Sequence, residues 1–327
     1  KRINDIINNL EALKITGDQN LLDETISAVS KFSKDKKNFL VFGTGGSNLG
    51  GKALINIMQE KDKKVQFFDN IDPLAFSNFF NKIETQSTGF IFISKSGSTP
   101  ETLCQLACLI ELFDKKNGLN IFFKNSLFIT EDKKSPLHDI ALKNKCHILY
   151  HSKKIGGRYS VFSNVGMVPA LLAGMDVKQI HKGAQFQINN YLKSDYCNIG
   201  QFFRYQNINE NLGMSVIMTY SDALFFFGKW YLQLWAESLG KDLKGITAIH
   251  AVGTTDQHSQ LQLFLDGPQD KFFTFISTNH LNKGLSLHRE TMENNDLEYL
   301  VNKKMGDLMH AEQQATIDTF KLRKISF

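Results

Sequence analysis

No stretch of apolar residues in this chain approaches the ~18 that a helix needs to cross a bilayer, so a helical membrane span is not expected. The opening Lys1-Arg2-Ile3-Asn4-Asp5 has no apolar core of the kind that starts a signal peptide. Because no initiator Met precedes it, the N-terminus is read as processed or clipped. Cysteine is scarce: Cys104, Cys108, Cys146 and Cys197 are the only four, and none stands in Cys-x-x-Cys spacing. Reduced thiols in a cytoplasmic protein are the expectation, with Cys104 and Cys108, four apart on a predicted helix, in the core. There is no His-x-x-x-His and no cluster of carboxylates or cysteines, so no metal is expected. Charge of neither sign dominates. With 38 Lys and Arg against 33 Asp and Glu, a net +5 is too mild and too scattered to point to nucleic acid. An anionic metabolite is compatible with it. Low-complexity segments and short repeats are absent as well.

What is present organises the chain as alternating strands and helices. At 327 residues it is long enough for about two domains with real cores. Residues 1–35 read as two amphipathic helices, with Ile6, Ile7, Leu10 and Leu13 at helical spacing. Strands are expected at Asn38–Phe42, Val65–Phe68, Gly89–Ile93, Leu127–Thr130 and His147–Tyr150, with helical patterns between them. A long helical region follows from about Ser160 to Arg204. Alternation then resumes, with strands at Ser215–Thr219, Ile246–Ala251 and Phe272–Ile276 and helices at Ala223–Leu239 and Asp256–Leu265. Asn279–Glu298 has no period and reads as a surface loop; Leu300–Phe320 reads as a helix. Such alternation predicts an α/β protein with mostly parallel sheets, and the 27 Phe residues are assigned to its core. Ligands bind such sheets at the carboxyl ends of the strands.

The segments at those ends carry the chemistry. After the run Gly89–Ile93 comes Ser94-Lys95-Ser96-Gly97-Ser98-Thr99, then Pro100-Glu101-Thr102. This reads as strand, turn and helix N-terminus, where free N–H groups, the helix dipole and several hydroxyls suit a phosphate. A plain helix cap explains one hydroxyl and leaves the rest unexplained. Gly43-Thr44-Gly45-Gly46-Ser47-Asn48-Leu49-Gly50 follows the first strand. A dinucleotide fingerprint starting at Gly43 fails because its third glycine falls on Asn48, although Asp69 stands where a ribose-binding acid would. Gly46 and Ser47 read better as a sugar-phosphate contact. In Ile155-Gly156-Gly157-Arg158-Tyr159-Ser160 two glycines expose an Arg that suits a developing oxyanion; a surface ion pair is the bland reading. Gln233 and Glu237 share one face of an aromatic-rich helix. Desolvation beside Leu234 and Trp235 would give Glu237 the basicity of a general base; a solvated Glu is the alternative. Gly253-Thr254-Thr255-Asp256-Gln257-His258-Ser259-Gln260 follows another strand, and His258 is either a proton carrier or a surface residue.

Taken in order, residues 41–51, 94–102, 156–174, 229–241 and 253–271 resemble the phosphoglucose isomerase family. Gly-Gly-Arg-Tyr-Ser-Val-Phe-Ser, Ala-Glu-Ser-Leu-Gly-Lys and Gly-Thr-Thr-Asp-Gln-His-Ser-Gln are similar to its signature stretches. The resemblance implies two three-layer α/β/α sugar-isomerase domains, at 36–190 and 191–327, behind N-terminal helices at 1–35. It implies interconversion of glucose 6-phosphate and fructose 6-phosphate by a cytoplasmic homodimer that needs no cofactor. Ser94, Lys95, Ser96 and Thr99 match the phosphate loop; Gly46, Ser47, Gly157 and Gln233 match substrate contacts. Arg158 matches the enediolate-stabilising Arg and Glu237 the base that moves a proton between C1 and C2. His258 matches the ring-opening His, which in this family comes from the partner subunit.

One departure stands beside the resemblance. The family continues past this point with a segment whose Lys also serves ring opening, whereas this chain stops at Phe327. The second domain is therefore expected to be truncated. The alternative function for the chain as given is a phosphosugar-binding module with reduced or no activity. A nicotinamide-dependent dehydrogenase is the third reading.

Overall fold

The computed structural model describes residues 9–58, 64–81, 83, 86–193, 212–288 and 295–327. Expectations for Ile6, Ile7, Cys197 and residues 194–204 lie outside them. The chain divides into two compact units, one through Tyr196 and one from Cys197.

The first unit begins with α1 (Glu11–Lys14) and α2 (Gln19–Phe32). It continues with β1 (Asn38–Phe42), α3 (Leu49–Ile57), β2 (Lys64–Phe68), α4 (Pro73–Phe80), β3 (Thr88–Ile93), α5 (Pro100–Lys115) and α6 (Leu119–Lys124). Then come β4 (Ser126–Thr130), α7 (Pro136–Lys143), β5 (His147–Tyr150), α8 (Asn164–Leu172) and α9 (Val177–Lys193). The strands form one parallel sheet in the order β2-β1-β3-β4-β5. Strand residues alternate between two cores, as a period of two requires. Leu40, Phe42, Phe90, Phe92 and Phe128 meet Phe80, Leu106, Leu109, Phe122 and Leu137 from α4 to α7. Phe39, Val41, Ile91, Ile93, Leu127 and Ile129 meet Val29 of α2 and Val165, Val168 and Leu172 of α8. Helices thus cover both faces, which gives three layers.

One row of aromatic rings crosses this sheet at matched register. Phe42 pairs with Phe68 on one side and Phe92 on the other, and Phe92 pairs with Phe128. Their rings stack at 5.3, 4.7 and 5.2 Å between centroids. A slip of one residue would turn this row to the opposite face, so it helps to fix the level of four strands. Just beyond the row lie Gly43 and Ser94, the starts of two of the candidate loops. They flank the point between β1 and β3 where the strand order reverses, the usual ligand position in a sheet of this order.

The second unit contains β6 (Met214–Tyr220), α10 (Phe225–Leu239), β7 (Thr247–Val252), α11 (Leu261–Asp266), β8 (Lys271–Ser277) and α12 (Met305–Leu322). Its parallel sheet has the order β7-β6-β8. Val216, Met218, Tyr220 and Phe273 pack with Phe264 of α11 and Phe320 of α12. On the other face, α10 runs back along β7. Gly228 lies against the ring of His250, late in the strand, and the Trp235 indole donates to the Ile246 carbonyl just before it at 2.9 Å.

All eight expected strands are present within a residue at either end. The helices differ more. The predicted region from Ser160 is a 3-10 turn (Gly157–Phe162), α8 and α9, broken where Gly174 takes a φ of +87°. The helix expected from Asp256 is a 3-10 turn, Thr255–Gln257, followed by the short α11. The last helix starts at Met305 rather than Leu300, because Asn295–Leu300 form a 3-10 turn. Leu10 is exposed. Cys104 and Cys108 are exposed too. The buried stripe of α5 is Thr102, Gln105, Leu106, Leu109 and Phe113, and the two thiols fall on its opposite side. Most described Phe side chains are in the core, but Phe186 is 66% exposed.

Phe92 is fully buried in the aromatic row and also meets Phe122 edge-on. Phe92→Ala is expected to lower the unfolding free energy by about 3–5 kcal/mol, measured by urea denaturation. A loss below about 1 kcal/mol would show that the row carries no structural weight.

Candidate active site

Ser94 closes its own loop. Its amide donates to the Ile129 carbonyl at 3.0 Å, and its buried hydroxyl lies 2.7 Å from that of Thr99 and accepts from the Gly97 amide at 3.1 Å. Gly97 has a φ of +68°, and a side chain there would strike Ser135. The exposed Ser96 hydroxyl accepts from the amide and hydroxyl of Ser98, at 3.2 and 3.1 Å. Thr99 occupies the N-cap position of α5 but makes no side-chain cap bond. Its hydroxyl is turned to Ser94 instead, so the plain capping reading fails. The helix therefore opens with Pro100, and side chains leave its first-turn N–H groups to the loop. That is an anion-binding arrangement.

The Gly43 turn meets the Arg158 turn directly. Gly45 has a φ of +55°, but Gly46 does not have a positive φ. Gly46 is confined by space. A Cβ there would overlap the Gly157 carbonyl carbon and stand 2.5 Å from the Arg158 nitrogen. The Ser160 hydroxyl bridges the two turns, donating to the Gly157 carbonyl at 2.6 Å and approaching that of Gly46 at 3.3 Å. Arg158 is half-buried, with its guanidinium carbon 4.4 Å from the centre of the Tyr159 ring. Ser47, in the turn that faces it, is half-buried as well. Asn48, where a dinucleotide motif needs glycine, is fully buried and donates to the Gly43 carbonyl at 2.8 Å. Asp69, the acid that reading would turn to a ribose, is paired with Lys52 at 2.5 Å. Both residues are committed to the fold, so the dinucleotide reading fails.

Lys95 departs from its expected place. Its ammonium does not stand free for a phosphate: it donates to the carbonyls of Lys153 and Ile155, at 3.0 and 2.8 Å, and lies 3.6 Å from Glu131. It thereby ties the Ser94 loop to the segment that leads into Gly156-Gly157-Arg158. Nearby His151 is buried, and its Nδ1–H donates to the Ser152 carbonyl at 2.8 Å. Burial lowers its pKa, which keeps the ring neutral. The sequence reading missed Ser160 and Glu131. The first stands inside the Gly-Gly-Arg-Tyr-Ser stretch, and the second is an acid at a strand's carboxyl end, the same signal that drew attention to Asp69.

In the second unit, Gln233 donates to Glu237 Oε1 at 2.8 Å. The Gln233 carbonyl oxygen is buried and has no hydrogen-bond partner among the described residues. Glu237 itself is exposed, not desolvated by Trp235, because that indole points away to Ile246. The exposed His258 follows β7, at the end of the turn Thr255–Gln257. Asp256 anchors this turn by accepting from the Val252 amide at 2.6 Å and the Ser259 hydroxyl at 2.8 Å. Burial pushes the Asp256 carboxyl up, but these bonds and the nearby His250 outweigh it and hold it below its usual value. Gln257 pins the turn to Thr316 of α12. Because α10 runs antiparallel to β7, Glu237 lies toward the amino edge of the sheet and His258 toward the carboxyl edge. The strand between them has six residues, about 20 Å. Glu237 and His258 of one chain are thus not brought together. No group of three or more metal-ligating side chains occurs among the described residues. No helix among them is long and apolar enough to cross a membrane.

Comparison with known proteins agrees with this reading of the fold. The phosphoglucose isomerase family model matches residues 19–323. The glucose-6-phosphate isomerase of Campylobacter jejuni is 33% identical over 325 residues, which span 94% of this chain and 78% of that protein. A crystal structure of a hypothetical protein from Thermus thermophilus superposes with a TM-score of 0.88 at 27% identity, covering 97% of this chain and 77% of that one. A glucose-6-phosphate isomerase structure from Chlamydia trachomatis superposes with a TM-score of 0.74 at 22% identity, over 91% of this chain and 58% of that one, and shows the shared fold.

The contact at Gly46 is backbone against backbone, so no rotamer change can relieve an added methyl group. Gly46→Ala is expected to cost about 1–3 kcal/mol and to speed amide hydrogen exchange at Gly157 and Arg158. Unchanged stability and exchange would show that the two turns do not depend on each other.

Proposed function

We propose that this chain, which belongs to the phosphoglucose isomerase family, interconverts D-glucose 6-phosphate and D-fructose 6-phosphate through a cis-enediolate, a reaction of glycolysis and gluconeogenesis. The observation that supports it best is the joining of three segments at one sheet edge. Gly46 lies against the Gly157–Arg158 peptide, and Lys95 binds the Ile155 carbonyl from within the Ser94 loop. An anion loop and a guanidinium thus stand on adjoining segments, as phosphate binding and enediolate stabilisation require.

Each residue then has a part. Ser94, Ser96 and Thr99, with the first N–H groups of α5, hold the phosphate, while Lys95 holds the loop that carries Arg158. Gly46, Ser47, Gly157 and Gln233 contact the sugar. His258 assists ring opening. Glu237 takes the proton from C2 and returns it at C1, and the reverse in the other direction. Arg158 offsets the charge that develops on the oxygens. Binding of the remote phosphate holds the reacting carbons in place. These steps use the protein's own groups and call for no cofactor. The separation of Glu237 from His258 within one chain favours a homodimer in which His258 serves the partner's site. The two units are read as sugar-isomerase domains and the protein as cytoplasmic. The alternative, a phosphosugar-binding module without chemistry, is not favoured by the kinship with isomerases.

A carboxamide in place of Glu237 keeps the shape but cannot accept the proton. Glu237→Gln is expected to lower turnover by about 10²–10⁴-fold and to abolish exchange of the C2 proton with solvent, with sugar-phosphate binding nearly intact. A coupled assay, deuterium incorporation and calorimetry check the three parts. Undiminished exchange in the variant would remove Glu237 from the mechanism.

A further inference from the structure

We propose that Glu131 is a positioning residue for Arg158, acting through the Lys95 ammonium. This deepens the reading above, since it rests on Arg158 and the Ser94 loop serving one substrate. Glu131 follows β4 and is only 7% exposed. A carboxylate so buried needs charged partners. It has two: Lys133 at 2.8 Å and Lys95 at 3.6 Å. The backbones are joined as well, with the Glu131 amide donating to the Lys95 carbonyl at 3.2 Å. The hydrogen bond from Lys133, against the effect of burial and with help from Lys95, holds the carboxyl below its ordinary pKa, so it stays ionised near neutral pH.

The other contacts of Lys95 give this pair its use. Its ammonium donates to the carbonyls of Lys153 and Ile155, and Ile155 is buried. Gly156 and Gly157 follow, flexible residues that by themselves would not hold Arg158 in one place. The ammonium is the strut that fixes the entry to them, and Glu131 is its charge partner on the other side. Lys95 also belongs to the anion loop, so a bound phosphate competes with Glu131 for it. Removing the Glu131 charge therefore has opposite effects on two measurable quantities. Arg158 loses its support, while Lys95 becomes freer to turn toward an anion.

Glu131→Gln is expected to lower kcat by about 10–100-fold while KM stays level or falls. Inhibition by inorganic phosphate should be as tight as before or tighter, and amide exchange at Gly157 and Arg158 should quicken. Glu131→Asp should restore most of kcat. If Glu131→Gln does not fold, Lys95→Met takes its place and should show the same loss of kcat and the same faster exchange. Wild-type kcat, phosphate inhibition and exchange in the variant would overturn the proposal. So would equal losses of kcat and phosphate affinity that Asp does not restore, since that pattern marks general damage. If the parent protein turned over no sugar phosphate, the function proposed above would fail, and the phosphate and exchange measurements would still decide the role of Glu131.

Discussion

Gly46 must lack a side chain because the Gly157–Arg158 peptide occupies the space where one would stand. This single close approach joins the turn after β1 to the turn that carries Arg158, although more than a hundred residues of chain separate them. It depends in turn on the level of the strands. The stacked rings of Phe68, Phe42, Phe92 and Phe128 keep four strands in register, and the candidate loops leave the sheet one or two residues beyond them. Packing in the core thus sets the geometry at the edge. A loop alone would not hold backbone atoms in contact against their conformational entropy.

The chemistry follows from where charge is placed. The Ser94 loop gathers hydroxyls and helix N–H groups, donors that suit a dianion. The only ammonium in that loop is already hydrogen-bonded to two carbonyls and faces a buried carboxylate. Arg158 supplies a cation, and its half-buried position limits screening by water. Glu237 and His258, the proposed base and ring-opening His, belong to the second unit, on opposite edges of its sheet; the proposed reaction therefore takes them from two chains.

Much of this was legible in the sequence, for identifiable reasons. The strands were plain because buried parallel strands are short apolar runs bounded by turns, as in Asn38–Phe42 and Thr88–Ile93. The candidate segments stood out because glycine and hydroxyl residues cluster at the ends of such runs. Helix limits were less legible. The break at Gly174 and the 3-10 turns beside Arg158 and His258 depend on tertiary contacts that periodicity does not record. The exposed thiols were misjudged because spacing of four fits either side of a helix, and only the stripe around Leu106 and Leu109 decides which side is buried. The bonding of Lys95 was hidden for a different reason: its partners are carbonyls about sixty residues away, and a carbonyl has no sequence signature.

The proposed function requires that Glu237 and Arg158 act on the same sugar phosphate. A crystal structure of the protein with a six-carbon hydroxamate analogue of the enediolate tests it most directly. The account predicts phosphate oxygens within hydrogen-bond distance of Ser94, Ser96 and Thr99, with the Arg158 guanidinium and a Glu237 carboxylate both reaching the C1–C2 end. An analogue bound with either Arg158 or Glu237 facing a different cleft would contradict it.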